Sequence, residues 1–239
     1  MLDKNITTVL FDLDGTLLPM DTDTFTHAYF ELLAQKAAPY GYEPKPLVDA
    51  VWKGTAAMVK NDGGASNCQR FWDVFASIFG PESRNMQAEF DEFYANEFHG
   101  VRSSVGENPL AAKAVRGLRA KGYDVILATN PIFPAVGVGT RLNWLGLELT
   151  DFSLVTRYEN STFCKPNPEY YREILQKTGK SPSECLMVGN DAREDLAARK
   201  AGLSVYLATD CLIDPEHADL SAAQTGTFRD FMRYAEVDV

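Results

Sequence analysis

The sequence predicts an α/β protein, a parallel sheet covered by helices and interrupted by an all-helical insertion. Three observations carry this reading. Thr7–Leu13 is a short apolar run that ends in Asp and Gly, the mark of a buried strand entering a turn. Residues from about 20 to 104 show helical spacing and no convincing strand. From Asn108 onward, helix-like and strand-like runs alternate, which implies right-handed crossovers between parallel strands.

Each element follows from its local pattern. Within the insertion, Asp23–Ala37, Pro46–Lys60, Ser66–Phe79 and Arg84–Phe98 place apolar or aromatic residues near helical spacing, separated by turn-rich breaks at Pro39–Pro46, Asn61–Ala65 and Gly80–Pro81. Phe71, Phe75 and Phe79 share one face and are expected in a core. After Asn108 and Pro109, a helix over Leu110–Lys121 stops at Gly122. Asp124–Thr129 is a continuous β-rich run of the fully buried, parallel kind. A helix over Ile132–Leu145, a strand at Phe152–Val155, a helix over Pro168–Thr178, a strand at Cys185–Val188, a helix over Arg193–Ala201 and a strand at Ser204–Leu207 complete the series. The first strand belongs with this second half. The organisation expected is therefore a split α/β core, residues 1–17 and 106–239, around a helical unit of residues 18–105.

Composition narrows the partners. With 33 acidic against 23 basic residues the formal charge is −10, which argues against a binding face for nucleic-acid backbone and against docking on anionic membranes. The insertion is acidic too, 12 residues against 7 basic, so a long polyanionic substrate does not suit it. Small anionic ligands remain compatible, because a local site can be positive within a negative molecule. Cys68, Cys164, Cys185 and Cys211 are far apart and lack metal-type spacing, so separate reduced thiols are expected. No apolar run approaches the ~20 residues that span a bilayer. Asp12 cuts short the patch at Val9–Phe11, leaving no signal-peptide core, and a cytoplasmic location is the simplest expectation.

In an open parallel sheet, reactive groups gather beyond the carboxyl ends of the strands. The first strand ends in Asp12-Leu13-Asp14-Gly15-Thr16 and the second in Thr129-Asn130. A later loop carries Lys165-Pro166, and the Cys185–Val188 strand runs into Gly189-Asn190-Asp191, with Asp195 four residues on. Taken singly, these are ordinary features. A D-x-D is commonly a turn, Thr-Asn a cap, Lys165 a solvated loop lysine, and Asp191 and Asp195 first-turn acids beside a helix dipole. Their convergence from separate strand exits is what points to chemistry.

The order FDLDGT, Thr-Asn, Lys-Pro and Gly-x-Asp-x-x-x-Asp resembles the haloacid dehalogenase superfamily, with a Rossmann-like core and the helical insertion in the place of that family's cap. The resemblance implies a phosphatase of small phosphorylated metabolites. Asp12 would be the nucleophile that forms an aspartyl phosphate, and Asp14 the acid and base. Mg²⁺ would be held by Asp12, by Asp14 through its backbone carbonyl, and by Asp191. Lys165 would offset charge, and Thr129 and Asn130 would donate to the transferring oxygens. Family members often carry Asp where this chain has Asn190. The metal role therefore falls on Asp191, on Asn190 or on both, and the full charge of Asp191 favours it. Asp195 would support metal waters or Lys165. The cap would close as a lid, with hinge candidates at Gly15–Met20 and Arg102–Pro109. A phosphomutase of the β-phosphoglucomutase type shares every core motif. A dehalogenase lacks the second acid, and an inactive binding or regulatory protein would not keep the intact Asp12, Asp14, Lys165 and Asp191 set. Oligomeric state is not legible.

Overall fold

The computed structural model describes residues 2–238. Six strands form one all-parallel sheet: β1 (Thr8–Phe11), β2 (Asp124–Leu127), β3 (Leu154–Val155), β4 (Cys185–Gly189), β5 (Ser204–Ala208) and β6 (Gln224–Gly226), in the order β3-β2-β1-β4-β5-β6. The order reverses direction at β1, so a crevice opens beyond its carboxyl end. Phe11 pairs with Leu127 on one side and Val188 on the other, which sets Asp12 between the ends of β2 and β4.

Side chains alternate across the strands and build a core on each face. Val9, Phe11, Leu127 and Val188 join one cluster with α5 (Ala111–Ala120), α6 (Ala135–Asn143) and α8 (Phe228–Tyr234). Leu10, Ile126, Met187 and Leu207 join the other with α7 (Pro168–Thr178). Phe231 of α8 meets the Phe11 ring edge-on at 5.4 Å. The four expected helices of the insertion form as α1 (Thr22–Ala37), α2 (Pro44–Val59), α3 (Asn67–Phe79) and α4 (Met86–Ala95), and they enclose an aromatic cluster of their own around Phe75, Phe90, Phe93 and Phe98. Ser66 and Gln69 close a capping box at the start of α3. The two chain crossings run side by side, with Met20 bridged to Val105 and Gly106 N donating to the Pro19 carbonyl at 2.7 Å.

Two elements differ from expectation. The helix expected over Ile132–Leu145 begins only at Ala135, after Pro134 in an extended conformation, so Ile132 and Phe133 stay irregular. The helix expected over Arg193–Ala201 is a shorter 3-10 helix over Leu196–Ala201 behind a series of turns. There, carboxylates intercept the backbone. Asp191 Oδ1 accepts from Arg193 N and Glu194 N, and Asp195 Oδ2 accepts from Asn190 N and Asp191 N. Beyond Leu207, β6 and α8 add an edge strand and a closing helix that the sequence pattern did not announce.

Candidate active site

β1 is buried at every position, so its direction is fixed by packing, and the turn after it carries Asp12 and Asp14 to the sheet's end. That turn is tight. Gly15 adopts φ +87°, and a Cβ there would lie 2.3 Å from Asn190 Nδ2. Thr16 Oγ1 donates to Asn190 Oδ1 at 3.0 Å, while Asn190 Nδ2 donates to the Cys211 carbonyl at 2.8 Å. Asn190 thus clasps the β1 turn to the β4 and β5 loops with both ends of its amide.

Lys165 arrives from the loop before α7 with its side chain fully buried. Its Nζ donates to Asp12 Oδ1 at 2.7 Å and to Asp195 Oδ1 at 2.8 Å. Of the two partners the sequence leaves open for Asp195, this contact supplies Lys165. Gly189 permits the approach, since a Cβ there would lie 2.0 Å from Asp195 Oδ2. One ammonium between two buried carboxylates leaves the cluster negative. Burial accordingly pushes the Asp12 carboxyl up, Lys165 pulls it down, and Asp195 and Asp14 push it up again. For Lys165, burial works against the charged form, but Asp12 and Asp195 hold the ammonium well above its ordinary range.

Thr129 and Asn130 lie just beyond the end of β2. Tyr170 Oη and Thr156 Oγ1 donate to the Thr129 carbonyl at 2.9 and 2.7 Å, which pins the strand exit. Asn130 faces two ways. Its Oδ1 accepts from Lys165 N at 3.2 Å, and its Nδ2 donates to both oxygens of Glu194 at 3.0 and 3.2 Å. Cys164, next to Lys165, is buried, and burial together with Glu194 pushes its thiol up to about 12, so it stays a thiol.

Two residues absent from the sequence expectation belong to the site. Glu194 is a half-buried acid; desolvation pushes its carboxyl up to about 7, against the pull of Lys165 and with the push of Asp195. Arg141, on α6, has no exposed surface; its Nη1 is ion-paired with Asp14 Oδ2 and its Cζ stands 4.2 Å from the centre of the Phe133 ring. Asp14 Oδ1 is buried without a hydrogen-bond partner among the described residues. An arginine inside a helix otherwise free of charge, made of Ala, Val, Gly, Thr, Leu and Asn, was the available signal for Arg141. For Glu194 it was only the proximity of Asp195 in sequence.

The donors present suit a hard divalent cation. Asp12 Oδ2 makes only a long 3.5 Å contact with the Thr16 hydroxyl, and Asp191 caps the following turn through Oδ1 alone. Among the described residues no three His, Cys, Asp or Glu side chains converge to enclose an ion. Two carboxylates, a backbone carbonyl and retained waters would match the habit of Mg²⁺.

Residues 6–202 match the model of a family described as haloacid dehalogenase-like hydrolase. Among curated proteins, Pyrophosphatase PpaX of Bacillus velezensis is 24% identical over 203 residues, covering 84% of this chain and 82% of its own. That of Bacillus pumilus is 26% identical over 202 residues, with 84% and 82% covered. Among solved structures, a 2-haloacid dehalogenase from Pseudomonas syringae pv. tomato DC3000 aligns with a TM-score of 0.60 at 20% identity over 97% of this chain and 98% of its own. A phosphatase from Thermococcus onnurineus aligns at 0.59 and 16% identity, with 98% and 99% covered. At such identities the structural likeness speaks for the fold.

Proposed function

The chain belongs to the haloacid dehalogenase-like hydrolases, and from that premise we propose that it is a Mg²⁺-dependent phosphatase of small organic phosphates that works through a phosphorylated Asp12. The observation that carries this is the chain of contacts Asp12–Lys165–Asp195, at 2.7 and 2.8 Å, at the carboxyl end of the central strand. An isolated carboxylate is a weak nucleophile toward an anionic phosphate, and the fixed ammonium offsets the repulsion between them.

Asp12 attacks phosphorus, the ester P–O bond breaks, and the departing alkoxide takes a proton from Asp14. In the second half Asp14 takes a proton from water, the hydroxide attacks phosphorus, and inorganic phosphate leaves with regeneration of the Asp12 carboxylate. The acid step needs a protonated Asp14, which gives up the ionic part of its contact with Arg141. Asp12, Asp191 and the Asp14 carbonyl would hold Mg²⁺; Asn190 is left out because both ends of its amide are engaged. When bound, the ion neutralises phosphate oxygens and orients the ester in line with Asp12. Thr129 lies at the same strand end and suits a donor to the transferring oxygens, while Asn130 steadies the Lys165 loop and Glu194. The same reading takes residues 18–105 as a lid on the core of residues 1–17 and 106–239, hinged at Gly15–Met20 and Arg102–Pro109. The relatives named pyrophosphatase support phosphoryl transfer to water as the reaction class.

Phosphate release from p-nitrophenyl phosphate tests the reading. Release should require Mg²⁺, stop on chelation, proceed without any bisphosphate activator, and vanish in a folded Asp12→Asn variant. Full activity in that variant would assign the nucleophile elsewhere.

A further inference from the structure

A cavity of about 270 Å³ opens beside Asp14, between the helical insertion and the sheet. Its walls are aromatic and aliphatic: Phe25 and Phe30 of α1, Trp72 of α3, Phe90 of α4, and Ile132 and Phe133 from the irregular exit of β2. Among its described lining residues Asp14 alone carries a formal charge, and none is Lys, Arg or His. The neighbouring cation, Arg141, is fully buried against Phe133 and does not line the cavity; its Nη1 is paired with Asp14, and its Nη2 has no partner among the described residues. Neutral donors are present. Trp72 Nε1 is buried without a partner among the described residues, and the Tyr29 and Tyr94 hydroxyls, 2.8 Å apart, use one hydrogen between them and leave the other free. The Thr55 hydroxyl is already spent on the Val51 carbonyl at 2.9 Å.

We propose that this cavity selects the leaving group, and that the substrate is the phosphate monoester of an uncharged, ring-bearing or aliphatic alcohol with at most a neutral hydrogen-bond acceptor on it. The proposal rests on the phosphatase reading and gives it a substrate class. A second phosphate, as in inorganic pyrophosphate, would enter an apolar chamber with no cation to receive it, and desolvating a charge there is prohibitive. A polyol would leave several hydroxyls short of partners for the same reason. The volume lies just under the range of ~300–1,000 Å³ usual for drug-sized ligands, which suits a single ring rather than a long chain.

The test compares monoesters of primary alcohols, so that leaving-group chemistry changes little: benzyl, ethyl and glycerol phosphate, with inorganic pyrophosphate alongside. Benzyl phosphate should exceed ethyl and glycerol phosphate in kcat/KM by about tenfold or more, and pyrophosphate should be the poorest. Thr55→Lys, which brings an ammonium to a half-buried wall position, should shrink the benzyl preference and raise pyrophosphate cleavage. Equal or better turnover of glycerol phosphate or pyrophosphate by the native protein would overturn the proposal. If no compound releases phosphate, the phosphatase reading falls, and binding decides the cavity's role. Titration of the tryptophan fluorescence should then show benzylphosphonate binding more tightly than ethylphosphonate; equal affinity would overturn the assignment.

Discussion

The carboxyl end of the sheet and the cavity beside it meet at Asp14 and are built on opposite physical terms. At the sheet's end, Asp12, Lys165, Asp195, Asn130 and Glu194 hold one another through directed hydrogen bonds, and each buried charge depends on a particular partner. In the cavity, rings pack on one another, as Tyr94 and Phe133 do edge to face at 5.9 Å and 78°, and apart from Asp14 the polar side chains are neutral. A charged cluster fails when one member is removed, because the rest become unpaired in a poorly polarisable place. An aromatic wall loses contact area in proportion to what is cut away and can repack. Reaction chemistry is thereby tied to the strand ends, and selection of substrate to walls that accept change.

Removing Asp195 should break the charged region most severely. Asp195→Ala deprives buried Lys165 of one of two carboxylates and strips the acceptor from the Asn190 and Asp191 N–H groups. We expect a loss of about 3–5 kcal/mol in urea unfolding, with Asp195→Asn closer to native because an amide oxygen still accepts. A loss no larger than that of a wall substitution would erase the contrast between the regions. Next in size is Asn67, a polar pin of the cavity's wall. It is fully buried at the head of α3, and its Nδ2 donates to the Pro131 carbonyl at 3.1 Å and contacts Cys164 Sγ at 3.3 Å, next to Lys165. Asn67→Ala should cost about 1–3 kcal/mol and raise KM more than it lowers kcat, since it loosens the seat of Trp72 without touching Asp12. Within the wall itself, Tyr94→Phe removes a single neutral hydrogen bond to Tyr29 and should cost about 1 kcal/mol. A larger loss would mean that the hydroxyl pair, and not the rings, organises the cavity.

How much of this was legible follows the same division. The central strands announced themselves as continuous apolar runs, and Asp12, Asp14, Lys165, Asp191 and Asp195 were picked out by their order after strand exits. The structure brings Asp12, Lys165 and Asp195 into direct contact. Arg141 stood out only as an arginine among mostly apolar helix neighbours, and its role was not legible because its partner lies 127 positions away. The helix expected from Arg193 starts only at Leu196 and is of the 3-10 kind, because Asp191 and Asp195 divert the preceding N–H groups, which periodicity does not reveal. The strand β6 has two of its three residues exposed, so no apolar alternation marked it. Cavity walls were legible only as composition. Phe71 and Phe75 declared a helix face, but which rings turn toward Asp14 depends on how α1, α3 and α4 pack together.

The smallest effect expected comes from an ion pair that belongs to neither region, and it sets the scale against which both are judged. Burial works against the charge of Asp151, but hydrogen bonds from Arg116 and from the Glu148 N–H, with the charges of Arg116 and Arg119, hold its carboxyl below the usual carboxylate range. Both arginines are about half exposed, so the attraction is screened by water. A folded-state value below the unfolded one means that the native chain takes up this proton less readily than the unfolded chain. The stabilisation is therefore complete above the unfolded value near pH ~4 and is lost as pH falls below it. Asp151→Asn keeps an oxygen for the Glu148 N–H and removes the charge together with the acceptor for Arg116 Nε. It should be less stable than the native protein by about 0.2–1 kcal/mol at neutral pH, and the gap should close as urea unfolding is repeated down to about pH 3. A gap that persists unchanged at the acid end would assign the loss to packing around Arg116 instead of to charge, and would remove this pair as the surface reference for the buried Lys165 cluster.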